Sequence, residues 1–370
     1  MSEQIKDSIS DKLDPKTITT VLIIGVLQFE IFKLPREVVL VAGRDAWISV
    51  LLGSVFISVV TYLLVRLAAG FPRENLFQYS RKVGGKPLGY IFAIGYFLFW
   101  AIILVLVFKN FTEDTRTFFL HKTPILIPLV LLTIGIIWLV SYGFAAVVRF
   151  FHFMLPFFAV PMFLIIILST RNIKTNAFLP VLAGGLMPVV KGAIVYAGYM
   201  HGLEVLLFVI PFLTSAKKAL KPALIGINIV NFLGFMEVVT AIGLLGAKTT
   251  QELIWPGFSM LGYTQVPGLS IERFGLLLTV PWLIGIFTSA CLVLYLISYG
   301  ITQIFKLNNS RATVAITAGI SVLLIYLIPD FAWTIQISKI VHMFSLVFIF
   351  LIPALILVLA FLQGKVEYES

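Results

Sequence analysis

Runs of about 20 apolar residues recur along nearly the whole of this chain, and each is long enough to cross a hydrocarbon layer about 30 Å thick. Hydropathy and breaker residues place ten such spans. The first starts near Ile18 and is disturbed from Glu30 to Pro35. The others run from about Ala46 to Ala69, Leu88 to Phe111, Pro124 to Ser141, Ala145 to Ser169, Pro188 to Leu213, Pro222 to Gly246, Phe274 to Ile304, Ala312 to Ile328 and Ile337 to Leu362. Lipid offers no water to an unpaired backbone N–H or C=O, so each span has to satisfy its own backbone as a helix. The expected fold is therefore an all-α polytopic membrane protein of about ten transmembrane helices. Only 12% of the residues are charged, against about 25% in a soluble domain.

No large soluble domain is left over. A tail at 1–17 precedes a single transmembrane domain at 18–363, and residues 364–370 form a second tail. The beginning "MSEQIKDSISDKLDPKTITT" lacks the basic start, short apolar core and cleavage site of a secretory signal, so the first span is expected to be retained. With the N-terminus inside, fifteen Lys and Arg fall on the inner side against twelve outside, which favours both termini in the cytoplasm. The net charge of +10 is scattered through short connections rather than gathered on one surface, which points to anionic lipid and membrane orientation instead of nucleic acid. Between the spans, "PRENLFQYSRKVGGKP" has helical character and is expected along the membrane surface. The interval Ala247 to Arg273 is expected to form an exterior cap or a short re-entrant piece.

Ten spans divide into two halves of five, about 18–170 and 188–363, and the sixth span then corresponds to the first. Both are interrupted ahead of a proline, in "VLQFEIFKLP" and "GYMHGLEVLLFVIP". Corresponding interruptions in two halves are the sequence sign of an inverted repeat, with a binding site at the breaks.

The stretch "VYAGYMHGLEVLLFVIP" puts Gly198, His201, Gly202 and Glu204 inside an apolar span. Two glycines four apart can let another helix approach closely. They can also unwind the helix locally and turn its backbone groups toward a ligand, which a membrane tolerates only where protein covers them. Ionisable residues at membrane depth mark sites or pathways, which favours the second reading and adds Tyr196 and Tyr199 to the region. His201 and Glu204 are three apart and share a helical face, as a structural tie or as a proton site.

In the first span Gly25 and Gln28 lie near the middle. Glu30, Lys33, Arg36 and Glu37 follow, with Glu30–Lys33 and Lys33–Glu37 at pairing distance, and read as an interfacial charge cluster. A zwitterion bound at such breaks needs N–H groups for its carboxylate and carbonyls or hydroxyls for its ammonium. Tyr96 of the third span and Thr288 and Tyr295 of the eighth are candidate side-chain contacts.

Other chemistry is not signalled. "VGGKPLG" lacks phosphate-loop spacing. His121, His152, His201 and His342 lie on separate elements without metal-ligand spacing, and Cys291 is the single cysteine. No nucleophile, base and orienting acid come from one region, so neither enzyme activity nor a metal or cofactor is expected.

Four stretches resemble the spore germination permease family, the membrane B subunit of germinant receptors. They are "LPREVVLVAGRDAWISVLLG", "FPRENLFQYSRKVGGKPLG", "FLPVLAGGLMPVVKGA" and "WPGFSMLGYTQVPGLSIERFGLLLTVPWLIGIF", with the Asp-Ala-Trp and Ile-Glu-Arg-Phe blocks carrying the specificity. That family is similar to the amino acid–polyamine–organocation transporters, whose LeuT-like 5+5 inverted repeat has discontinuous first and sixth helices. The resemblance implies a multi-pass protein of the spore inner membrane. It implies a small nutrient ligand, often an amino acid, and A and C partner subunits. It supports Gly25 and the Gly198 to Glu204 segment as parts of the ligand region. A proton-coupled amino-acid permease, with Glu204 or Glu30 as proton carrier, is the alternative. A channel component is a third reading.

Overall fold

The computed structural model describes residues 13–365 except 28, 72–73, 121, 264–270, 306 and 308–309; the side chains of residues 29–30 and 261–277 also lie outside it. Among the described residues the chain is helical nearly throughout, and the β contact is an isolated bridge between Leu13 and Leu213.

The first span is broken. Helix α1 (Thr17–Leu27) stops ahead of a 3₁₀ segment at Phe29–Lys33, and α2 (Leu34–Ala42) resumes with Pro35 in its first turn, where a missing N–H costs nothing. After a 3₁₀ turn at Gly43–Asp45 come α3 (Ala46–Ala69) and α4 (Leu76–Asp114). Helix α4 starts with a capping box. The Asn75 side chain accepts from Gln78 N, and the Gln78 side chain accepts from Asn75 N. Gly85 then interrupts it at φ 76°, so the segment from Leu76, expected as a separate surface helix, is set at an angle to the third span. Helices α5 (Leu126–Val140) and α6 (Phe144–Thr170) complete the first half.

The second half begins with α7 (Leu186–Gly198), which bends by 49° into Leu203–Phe212, a 3₁₀ and α composite containing α8 (Leu206–Val209). Then follow α9 (Leu220–Leu245), the short helices α10 (Ala247–Glu252) and α11 (Pro256–Tyr263), and α12 (Ile271–Phe305). Last are α13 (Ser310–Leu324), and α14 (Phe331–Leu346) joined to α15 (Ile352–Leu362) through a π-helical stretch at Val347–Leu351. Helices α10 and α11 fall in the interval expected to form an exterior cap or a re-entrant piece, with α11 packed on α9 and on the 3₁₀ segment of the first break.

The solvent of this fold is legible on α3. Val50, Ile57, Val60 and Leu64 are buried, while Leu51, Leu52, Val55 and Val59 on the opposite face are exposed. A helix apolar on both its packed and its exposed face fits lipid, not water. Inside, α3 packs against both α7 and α9, and α1 lies against α9. Small residues make these contacts close: a Cβ on Gly192 would stand 2.5 Å from Ser49 Oγ. The start of the chain is tied to the end of the sixth span, where Leu13 N donates to Phe212 O and Thr214 N donates to Leu13 O, both at 2.9 Å.

Candidate functional site: the two broken spans

At the sixth-span break the two glycines have different tasks. Gly202 adopts φ 98°, ψ −20°, a left-handed conformation that a Cβ penalises, and this residue turns the chain. Gly198 keeps helical geometry but lies against α14. A Cβ there would stand 2.5 Å from His342 O, and its carbonyl accepts from Ser345 Oγ at 2.7 Å. The close helix approach is thus made at Gly198 and the local unwinding at Gly202.

Glu204 holds the turn. Its Oε2 accepts from Gly202 N at 2.7 Å and its Oε1 from Trp100 Nε1 at 3.1 Å, in a site where the side chain is 1% exposed. A buried carboxylate needs such donors, and here one comes from its own turn and one from α4. Trp100 is in turn packed edge-on against Phe208, at 4.8 Å between centroids, and tilted against Tyr96 at 5.4 Å. The Tyr96 hydroxyl donates to Phe348 O at 2.6 Å, in the π-helical stretch where the carbonyl ladder is widened.

On the other side of the break, His342 of α14 stacks on His201 at 5.2 Å and lies 3.8 Å from the Tyr199 ring. Tyr196 donates to Asn231 Oδ1 of α9 at 2.9 Å, and Asn231 Nδ2 donates to Ser54 O of α3 at 3.3 Å. The break is therefore fastened to α3, α4, α9 and α14 at once.

The two breaks face one another. A small cavity with room for about one water molecule lies between them, lined by Val26, Leu27, Ile31 and Leu34 of the first span, Tyr199 and Met200 of the sixth, and Val230 and Gly234 of α9. Beyond it Lys33 donates to Asn110 Oδ1 at 2.5 Å and sits over the rings of Trp255 and Phe331 at 5.5 and 5.7 Å. Glu37 is held by Arg36 and, at 3.8 Å, by Lys339. The expected charge cluster thus draws partners from α4, α11's approach and α14.

Two facing breaks, in corresponding spans of the two halves, are the architecture of a known fold. The structure resembles the nucleobase-cation symporter Mhp1 with a TM-score of 0.71 at 12% identity, over 96% of this chain and 80% of that one. It resembles MhsT in complex with L-phenylalanine with a TM-score of 0.66 at 13% identity, over 94% and 98%. These likenesses establish the LeuT-type fold. In sequence, residues 12–332 match the family model described as spore germination protein. The chain belongs to that spore germination protein family.

Among its relatives in Bacillus subtilis, the spore germination protein KB is 30% identical over 79% of each chain. The spore germination protein YndE is 28% identical over 80% of this chain and 82% of that one. The spore germination protein A2 is 28% identical over 91% and 92%. The expected family and the expected multi-pass helical fold are both met.

Within this germination protein, the structure gathers Tyr96, Tyr196, Gly198, His201, Gly202 and Glu204 around the sixth-span break. Gly25 lies on α1 against α12, where a Cβ would stand 2.8 Å from Leu292 Cδ2. Gln28 and the side chain of Glu30 lie outside the described residues. Two candidates are placed elsewhere. Thr288 donates to Ile284 O and Gly285 O of its own helix, and Tyr295 packs on Phe144 and Tyr299. Trp100, Asn231, His342 and Ser345 were not among the sequence candidates. The polar edge of a tryptophan and an imidazole in otherwise apolar spans were the available signals.

Proposed function

We propose that this germination protein is the B-type subunit of a spore germinant receptor, which binds a small nutrient, an amino acid in the first instance, between its two broken spans. The observation that carries this reading is the pair of breaks facing across one apolar cavity, with the sixth-span turn held by Glu204 and fastened to four other spans. Family membership supplies the germination context, and MhsT in complex with L-phenylalanine supplies a fold relative that holds an amino acid.

On this reading Gly25, Gln28, Tyr96, Tyr196, Gly198, His201, Gly202 and Glu204 form or support the ligand region, and Thr288 and Tyr295 act on it through α12. The ligand shifts a conformational equilibrium that A and C subunits read, in the spore inner membrane with both termini cytoplasmic. A near-complete switch from one state to the other requires the ligand to favour the second by about 5.5 kcal/mol.

The test is germination of spores lacking this gene, scored by loss of optical density across amino acids, sugars and nucleosides. Selective loss for one nutrient is expected. Unchanged germination in a strain with no other receptor rejects the receptor role and leaves the proton-coupled permease as the reading, to be settled by uptake into vesicles.

A further inference from the structure

Glu237 of α9 is a buried acid to which nothing so far has given a role. Its side chain is 4% exposed, and among the described residues neither carboxyl oxygen has a hydrogen-bond partner. Three residues further along the same helix, Thr240 is 1% exposed and its hydroxyl likewise has no hydrogen-bond partner among the described residues. Buried carboxyl and hydroxyl groups are costly to desolvate without compensation, so an unmatched pair of them in a membrane core calls for a specific cause.

Position supplies one. Val230 and Gly234 line the cavity between the two breaks, and Glu237 is the next residue on that face of α9, spaced by four and then three. Its Oε1 is packed beside Gly257 of α11 and Phe32 of the first break. A Cβ on Gly257 would stand 2.7 Å from that oxygen and 2.8 Å from Phe32 Cα. The Phe32 ring in turn lies tilted against Phe258, at 4.9 Å between centroids. The acid thus lies one turn of α9 beyond Gly234, the last residue of that helix in the cavity lining, beside a short helix and an aromatic pair. Lys33, which follows Phe32, donates to Asn110 and lies over the Trp255 and Phe331 rings.

We propose that Glu237 is an ammonium-recognising group beside the two breaks: the ligand is an amphipathic primary amine, its cationic head on the Glu237 carboxylate and its apolar body between the broken spans, where the cavity that here holds about one water opens to admit it. An ammonium has three donors and no acceptor, and a carboxylate with a neighbouring hydroxyl oxygen offers it acceptors. The Phe32 and Phe258 rings add faces that favour a cation. Glu204 is unsuited to this task, because both its oxygens are engaged by Trp100 and Gly202. The inference rests on the ligand-binding reading above and narrows it to a class of ligand and a recognition residue.

The experiment uses the purified full-length protein and calorimetric or thermal-shift titration. The probes are L-alanine, L-valine and L-leucine and, for each, the amine left after loss of the carboxylate and the acid left after loss of the ammonium. Amines are expected to compete with the parent amino acid and the acids are not. Glu237→Gln is expected to weaken amino-acid and amine binding by about tenfold or more, the scale of a lost hydrogen bond to a charged group. Thr240→Val, which leaves the carboxylate in place, is expected to weaken it by less.

Equal binding by Glu237→Gln, equal binding of acids and amines, or no binding of any amine or amino acid overturns the proposal. If Glu237→Gln fails to fold, an unchanged affinity in Thr240→Val together with acids binding as well as amines overturns it. Germination separates the two readings. Selective loss in spores lacking the gene, without Glu237-dependent amine binding, keeps the receptor role and rejects this site. The reverse keeps the site and rejects the receptor role.

Discussion

At the scale of single residues, Gly202 and Gly198 fail for different reasons when they gain a side chain. Gly202→Ala forces a Cβ into the left-handed region, and about 1–2 kcal/mol of stability is expected to be lost, read as a lower melting temperature in detergent. Gly198→Val places a side chain on the α14 backbone at His342, so the break cannot seat. That variant is expected to insert in the membrane normally and to lose its ligand response, scored by germination in a strain where this receptor acts alone. Trp100→Phe keeps the ring stack on Phe208 but removes the donor to Glu204. A loss of about 1.5–3 kcal/mol in denaturant unfolding is expected, the range for a hydrogen bond to a charged group. A smaller effect than about 0.5 kcal/mol would show that Gly202 N alone suffices to hold the carboxylate.

At the scale of elements, the fold separates helices that only need to form from those that need to be broken. Helix α4 begins with the Asn75–Gln78 capping box, so Asn75→Ala is expected to cost about 1 kcal/mol of stability and leave the ligand response unchanged. Ser345→Ala removes less bulk but releases the Gly198 carbonyl from α14. Its stability cost is expected to be similar, and its ligand response altered. A response equal to wild type in both variants would separate α14 from the function of the break.

The break also shows what spacing alone leaves open. Gly202, between His201 and Glu204, is left-handed and Leu203–Val205 is a 3₁₀ turn, yet the two side chains still interact electrostatically. Glu204 reaches back to Gly202 N and across to Trp100, while His201 stacks on His342. Thr288 shows a second way for a candidate to be absorbed. In an apolar helix a threonine hydroxyl satisfies itself on a carbonyl one turn back, and this one does so.

At the scale of the whole molecule, the receptor and permease readings differ in what the closed cavity between the breaks does after it binds. Reconstituted in vesicles under a proton gradient, the protein is expected to bind its ligand saturably without net accumulation. Accumulation against the gradient of ligand would assign the permease role instead. Ligand at about 100 times its dissociation constant is expected to add about 2.7 kcal/mol to stability, which makes the melting temperature a direct binding assay.

The recurrence of apolar spans and the interruption of the first and sixth were legible in the amino-acid order alone. Lipid imposes a length, an apolar composition and internal backbone pairing on each segment separately, and these are local constraints. Even Glu237 carried a mark, as the sole acid between Glu204 and Glu252. Which groups meet was decided only by the tertiary structure. Trp100 with Glu204, Ser345 with Gly198 and Asn231 with Tyr196 join residues far apart in the chain, through hydrogen bonds that any of several polar side chains in these spans could have made. The choice follows from helix packing, where glycines set how closely backbones approach and a broken turn sets where a side chain points. Neither is encoded in the spacing of one segment.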